Sequence, residues 1–83
     1  MVIMTNYKET IKDLRRDLLE IADSLGISEE TLWNLSESDS RDTLDGVQSF
    51  IYQEDHILID DINCLTIFNY IHTIEKLGEP DVS

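Results

Sequence analysis

The side chains that could do chemistry in this sequence are two histidines, one cysteine and many carboxylates. Each histidine has a carboxylate close to it in sequence, His56 beside Asp55 and His72 three residues before Glu75. Such pairs can serve in acid–base catalysis or metal binding, but neither spacing matches a zinc-ligand pattern. Cys64 has no second thiol with which to hold a metal or form an internal disulfide.

The surroundings of these groups also argue against an active site. Cys64 lies within an apolar helical face, where a thiol is expected to be buried and unreactive. The acids of segment 55–61 lack the spacing of a calcium loop, and no glycine-rich loop could hold a phosphate. We therefore predict no catalytic residue, no metal, no cofactor and no enzymatic activity.

The charge of the chain is more informative. Eighteen acids against six bases leave a formal net charge of −12. From Asp17 to Glu75 there are fourteen acids and a single base, Arg41, which is a local charge of −13. A body of this kind repels phosphates and accelerates association with basic surfaces. Solubility alone could also account for an acidic composition, and the sequence leaves that alternative open.

Length and composition indicate one small domain. We assign residues 1–78 of the 83 to a single acidic helical domain and 79–83 to a flexible tail. No apolar run is long enough to span a membrane, and anionic lipid would repel the chain. With one cysteine and no recognisable secretory segment, the expected compartment is the cytoplasm.

Three helices are predicted from periodicity and end signals. The first covers about 6–25, capped by Thr5 or Asn6 and ended by Gly26. The second covers 29–36 behind the N-cap Ser28, although Thr31 stands where a capping box has Glu or Gln. The last covers 62–77, begun by Asp60 or Asp61 and followed by Gly78. It is apolar on so many sides that it must be central to the fold or an oligomer interface.

The middle of the chain allows two interpretations. Apolar residues from Leu44 to Ile51 recur at helical spacing and predict a helix over about 41–52, weakened by Gly46. The alternative is a β-hairpin within 47–60, turning at Glu54-Asp55, because β-branched residues are frequent there. The fold class is accordingly mainly α, a small bundle of about four helices, with an α+β fold containing that hairpin as the alternative.

Residues 21–35, IADSLGISEETLWNL, resemble the helix-turn-helix of the phage-repressor-like DNA-binding family. Ala22 occupies the small position at the helix crossing, Gly26 lies in the turn, and apolar residues surround them. The resemblance covers the two helices and extends to a following helix at Thr43–Ile51. It implies a helix hairpin and, if function follows fold, a regulator that binds DNA.

The positions that would enter the major groove do not suit DNA. They are Ser28, Glu29, Glu30, Trp33 and Asn34, and two glutamates there would face phosphates with the wrong sign. We therefore interpret the motif primarily as a helix hairpin that packs two helices together, and only secondarily as a DNA-binding element. A DNA-binding regulator, with phosphate contacts from Lys8, Lys12, Arg15 and Arg16, is the alternative function.

The leading prediction is a small protein-binding inhibitor or antidote that covers the basic, nucleic-acid-binding surface of another protein. Phage anti-defence proteins, DNA mimics and nuclease immunity proteins share this size and charge. Trp33 is the predicted aromatic anchor, if exposed. The acids expected to contact the partner are Asp39, Asp42, Asp45, Glu54, Asp55, Asp60 and Asp61. A homodimer is also possible through the apolar last helix.

Overall fold

The computed structural model describes residues 7–78, with side chains from Thr10 onward. Its elements are α1 (Tyr7–Leu25), α2 (Glu29–Ser36), a 3-10 helix (Asp39–Asp42), α3 (Leu44–Asp55) and α4 (Asp61–Gly78). The predicted mainly α bundle of four helices is confirmed, and this part of the chain contains no strand to support the hairpin. The predicted cap at Thr5 or Asn6 and the tail 79–83 lie outside the described residues.

One buried cluster holds the bundle together. The two long helices α1 and α4 pack along each other, α2 packs against α1, α3 packs against α4, and α2 and α3 contact one another. The four α-helices, the turn after α1 and the loop before α4 contribute apolar side chains to the core, which comprises Leu18, Ala22, Ile27, Leu32, Leu35, Val47, Ile51, Ile59, Cys64, Ile67 and Ile71. A core this small leaves little excess stability, so single polar contacts matter.

The turn between α1 and α2 follows the predicted signals. Gly26 has φ +85°, the left-handed conformation that glycine adopts without strain. The amide of Ile27 donates to the carbonyl of Ala22 at 2.9 Å, which closes a Schellman-type end for α1. Ile27 is then buried and Ser28 starts α2 as its N-cap. The compact helix hairpin expected from residues 21–35 is therefore formed.

Helix α3 begins later than predicted. The expected helix at 41–52 is replaced by the 3-10 turn, begun by the Ser38 cap, and by α3 from Leu44. The hydroxyl of Thr43 accepts from the amide of Gly46 at 2.9 Å and so sets the helix start. Gly46 is needed here because a Cβ would clash with the carbonyl oxygen of Ser40. The glycine that weakened the prediction lets the 3-10 helix lie against α3.

The chain reverses between α3 and α4. His56 ends α3 with φ +57°, and the following residues run back along the helix. The side-chain amide Nε2 of Gln48 donates to the backbone carbonyl of Ile59 at 2.8 Å, which holds the returning segment against α3. A carboxylate oxygen of Asp60 then accepts from the amide of Asn63 at 2.8 Å, so Asp60 caps α4 as predicted. Of the two roles expected for α4, the central one is observed, because Cys64, Ile67 and Ile71 are buried.

Candidate protein-binding surface

Five of the predicted contact acids lie exposed at the beginnings of helical elements or directly before one. Asp39 begins the 3-10 helix, Asp42 ends it just before the Thr43 cap of α3, Asp45 lies in the first turn of α3, and Asp60 and Asp61 lie at the start of α4. Carboxylates are favoured at these ends because the helix dipole is positive there. The fold therefore keeps these charges in solvent while they stabilise the elements that carry them.

Asp45 and Asp61 both lie near the buried Cys64. Burial raises the pKa of the Cys64 thiol, and the negative charges of Asp61 and Asp45 raise it further. The thiol also lies 3.3 Å from the carbonyl oxygen of Leu44, to which it donates. The starts of α3 and α4 are thus adjacent, and two acids that are sixteen positions apart in sequence share one end of the surface.

Arg41, the only base from Asp17 to Glu75, forms hydrogen bonds within its own chain. Arg41 donates to one carboxylate oxygen of Glu75 from Nη2 at 2.7 Å and from Nε at 3.1 Å, and Nη1 donates to the carbonyl of Ser38. These hydrogen bonds hold the pKa of Glu75 below its ordinary value and raise the pKa of Arg41. The neighbouring Asp42 and Asp39 raise the pKa of Arg41 further. Because the Arg41 guanidinium is paired with Glu75, the other carboxylates around it determine the sign of the local electrostatic potential.

Asp55 has a different environment from the other acids. One carboxylate oxygen accepts from the amide of Ser28 at 2.7 Å, and the other accepts from the hydroxyl of Thr31 at 2.8 Å. Both oxygens thus bind the N-terminus of α2, and the residue is only partly exposed. Glu54, its neighbour, is exposed at the opposite end of α3 from Asp45. Asp55 is therefore a structural residue, and we leave it out of the proposed contact surface.

Trp33 is covered rather than free. It is half-buried, its indole N–H donates to Glu29 at 3.1 Å, and the guanidinium of Arg15 lies 4.6 Å from the ring centroid. A groove of about 250 Å³ opens beside it and is closed on the far side by Ile71 and Ile74 of α4. The predicted anchor depended on exposure, and the ring is only partly exposed because it already contacts its own chain.

The exposed apolar side chains were not predicted from the sequence. Five large apolar residues are at least two-fifths exposed: Leu44, Tyr52, Leu58, Ile62 and Leu65. Leu58 is 80% exposed and Ile62 is 77% exposed. The available signal was positional. Leu58 lies in a loop two residues before Asp60, and Ile62 lies two residues before Cys64, roughly half a turn around α4 from the buried stripe.

The histidines take part in packing. The ring of His72 packs against Phe68 at a tilt of 45° with centroids 4.4 Å apart, and its Nε2 donates to the carbonyl oxygen of Arg41 at 2.8 Å. His56 is exposed and meets Tyr52 edge to face. Within residues 7–78, no three His, Cys, Asp or Glu side chains are grouped as metal ligands would be. No helix in that range combines the length and apolarity needed to cross a membrane.

Compared with known proteins, the chain matches no family model, no curated protein sequence and no solved structure.

Proposed function

We propose that this protein binds a basic protein partner and acts as an inhibitor or antidote by covering a surface with which that partner handles nucleic acid. The observation that carries the proposal is the exposed run of acids on the 3-10 helix and on the starts of α3 and α4, with Arg41 neutralised by Glu75. A phosphate-binding surface is rich in Lys and Arg, so its charge complements this run.

Two of the described basic residues of α1 make contacts within the chain. Arg15 lies over the Trp33 ring, and Arg16 pairs with Asp13 at 3.1 Å, as expected for neighbours three residues apart on a helix. From Asp42 to Glu75 the sequence has no Lys or Arg. The half of the molecule formed by α3 and α4 therefore attracts a basic partner over a distance set by ionic strength.

The alternative, a helix-turn-helix regulator that binds DNA, is favoured by the well-formed turn between α1 and α2. Negative charge opposes this alternative, because it lies at the N-terminus of α2, the end that would approach the DNA phosphates. Glu29 and Glu30 are exposed in the first turn, and the carboxylate of Asp55 occupies the amide of Ser28. A phosphate near this end would meet three carboxylates, so we rank DNA binding second.

Affinity capture tests the proposal. The tagged protein is incubated with lysate of its own host, with and without nuclease, and captured partners are identified by mass spectrometry. We expect a stoichiometric basic protein that survives nuclease treatment. The recovered partner should then lose its nucleic acid when this protein is added. A partner that binds nucleic acid equally well in the complex would refute the inhibitory role.

A duplex-binding assay at low salt tests the alternative with the same sample. The proposal predicts no shift at micromolar protein. Capture of nucleic acid alone, lost on nuclease treatment, together with a duplex shift, would establish the regulator instead. In that case Lys12→Ala should weaken the shift, because the basic face of α1 would have to supply the phosphate contacts.

A further inference from the structure

The exposed apolar residues occupy one part of the molecule. All five of them, among the side chains that the structure describes, lie on α3, on the loop after it or on the first turns of α4, and none lies on α1 or α2. Single exposed apolar side chains are ordinary, but their confinement to one segment is typical of an interaction site. We call Leu44, Tyr52, Leu58, Ile62 and Leu65 the α3–α4 edge.

Contacts across the segment bring its parts together. Tyr52 and Leu58 line a common depression of about 230 Å³, whose floor includes Gln48. The hydrogen bond from Gln48 to the Ile59 carbonyl keeps the loop against α3, so Leu58 remains beside Tyr52. At the other end, the bond between Cys64 and the Leu44 carbonyl joins the two helix starts.

The first turns of α4 extend the same edge. Ile62 and Leu65 are three residues apart and so lie on neighbouring positions of one helix face. Leu65 directly follows Cys64, whose thiol contacts α3, and it is 45% exposed. The edge therefore continues from the depression at Tyr52 past the loop to the outer face of α4.

The segment that carries this edge contains several acids and no base. Segment 44–65 contains five acids and no Lys or Arg. Asp45 and Asp61 lie near Cys64, next to Leu44 and Leu65, and Asp60 precedes Asp61 at the start of α4. An apolar centre with a rim of one charge sign is complementary to an apolar segment flanked by opposite charge.

We propose that the α3–α4 edge is the docking site for an amphipathic segment of the partner, apolar on one side and flanked by Lys or Arg. This inference rests on the proposed function and specifies the part of the basic partner that is held. Leucine-sized side chains of the segment bury Leu58 and Ile62, and its bases meet Asp45 and Asp61. Charge directs the approach, and the apolar contacts keep the complex together.

A defined probe tests the site without knowledge of the natural partner. The probe is a peptide of leucine and lysine in helical amphipathic spacing, free of tryptophan. Two control peptides carry Glu in place of Lys or Gly in place of Leu. Backbone amide shifts in NMR spectra of the full chain should move at the edge with the leucine–lysine peptide. They should not move with the glutamate peptide, and the glycine–lysine peptide should bind at least about tenfold more weakly.

A double variant and a matched control provide a second test of the docking site. Leu58→Ser with Ile62→Ser removes two side chains that are largely in solvent, so the fold should persist, as circular dichroism will verify. We expect affinity for the peptide to fall about tenfold or more, since burying such side chains is worth that factor. The control Glu20→Gln with Asp23→Asn removes two exposed charges of α1 and should leave the apolar contribution intact.

The outcomes separate the inference from the proposed function. Equal binding of the Leu58→Ser, Ile62→Ser variant, or equal affinity for both lysine peptides, would overturn the docking site while leaving the acidic surface as a binder of basic proteins. Amide shifts centred on Trp33 would place the peptide in the groove between α1, α2 and α4 and would also overturn it. A dimer that those two substitutions convert to a monomer would assign the edge to a second copy. Failure to bind any cationic peptide or protein would remove the proposed function itself.

Discussion

Asp55, the last residue of α3, accepts a hydrogen bond at 2.7 Å from the backbone amide of Ser28, the N-cap of α2. In a capping box this bond is made by a Glu or Gln three residues after the cap. That position holds Thr31, whose hydroxyl instead donates to the other oxygen of Asp55 at 2.8 Å. A residue of a different helix therefore completes the box and joins α2 to α3.

Asp55→Ala should destabilise the protein by about 1–2 kcal/mol, because the amide of Ser28 and the hydroxyl of Thr31, a residue that is 4% exposed, both lose their acceptor. Denaturant unfolding followed by circular dichroism measures the free energy of unfolding. The matched control is Glu54→Ala, at an exposed neighbour, which should change it by no more than about 0.5 kcal/mol. Equal effects of the two substitutions would contradict the capping role.

Gly46→Ala should destabilise the protein although alanine is the better helix former by up to about 1 kcal/mol. The reason is steric, since the added Cβ would overlap the backbone carbonyl of Ser40, which cannot rotate away. Ser49→Ala on the exposed face of the same helix serves as control and should be neutral or slightly stabilising. A higher melting temperature for Gly46→Ala would show that the 3-10 helix does not press on α3.

The Arg41–Glu75 pair should give stability a dependence on acid pH. Because the folded-state pKa of Glu75 is lowered, its contribution is complete above the ordinary pKa of a glutamate and disappears as pH falls through the lower folded value. The raised pKa of Arg41 matters only in strongly alkaline solution. Glu75→Gln should thus lower Tm at pH 7, and the difference from wild type should shrink toward pH 3. Glu20→Gln, at an exposed site on α1, is the control. A difference in Tm between Glu75→Gln and wild type that does not change with pH would disprove the linkage.

Cys64 should be unreactive in the folded protein. It is 2% exposed, and burial with the nearby carboxylates raises the pKa of its thiol, so little thiolate forms at neutral pH. As the only cysteine, it should react with a thiol reagent at a rate set by unfolding. Rates measured with increasing denaturant should follow the unfolding transition. Rapid stoichiometric labelling without denaturant would mean that the starts of α3 and α4 separate readily.

Local signals were sufficient for much of the fold. Gly26, Ser28 and Asp60 act on backbone within a few residues of themselves, and the ends that they predict are the ends observed. Val47 and Ile51, which also favoured the hairpin, are one helical turn apart and pack together into the core. Once α3 is buried on that face, β propensity no longer decides the structure.

What could not be predicted depends on contacts between distant segments. The start of α3 was placed three residues early because the 3-10 helix is stabilised by its fit against Gly46, which periodicity does not show. Asp55 was grouped with the surface acids because its partners lie 24 and 27 positions away. Trp33 was proposed as an anchor because the sequence gives no indication that Arg15 covers its ring.

The most direct test of the central claim is the rate at which the captured basic partner associates with this protein across a range of salt concentrations. Asp45→Asn with Asp61→Asn removes two charges from the candidate surface without disturbing the Asp60 cap. Glu20→Gln with Asp23→Asn removes two charges from α1. We expect the first variant to associate more slowly at low salt and with a flatter salt dependence, and the second to stay closer to wild type. Unchanged low-salt kinetics of the first variant, or equal slowing of both, would contradict binding through the acids at the starts of α3 and α4.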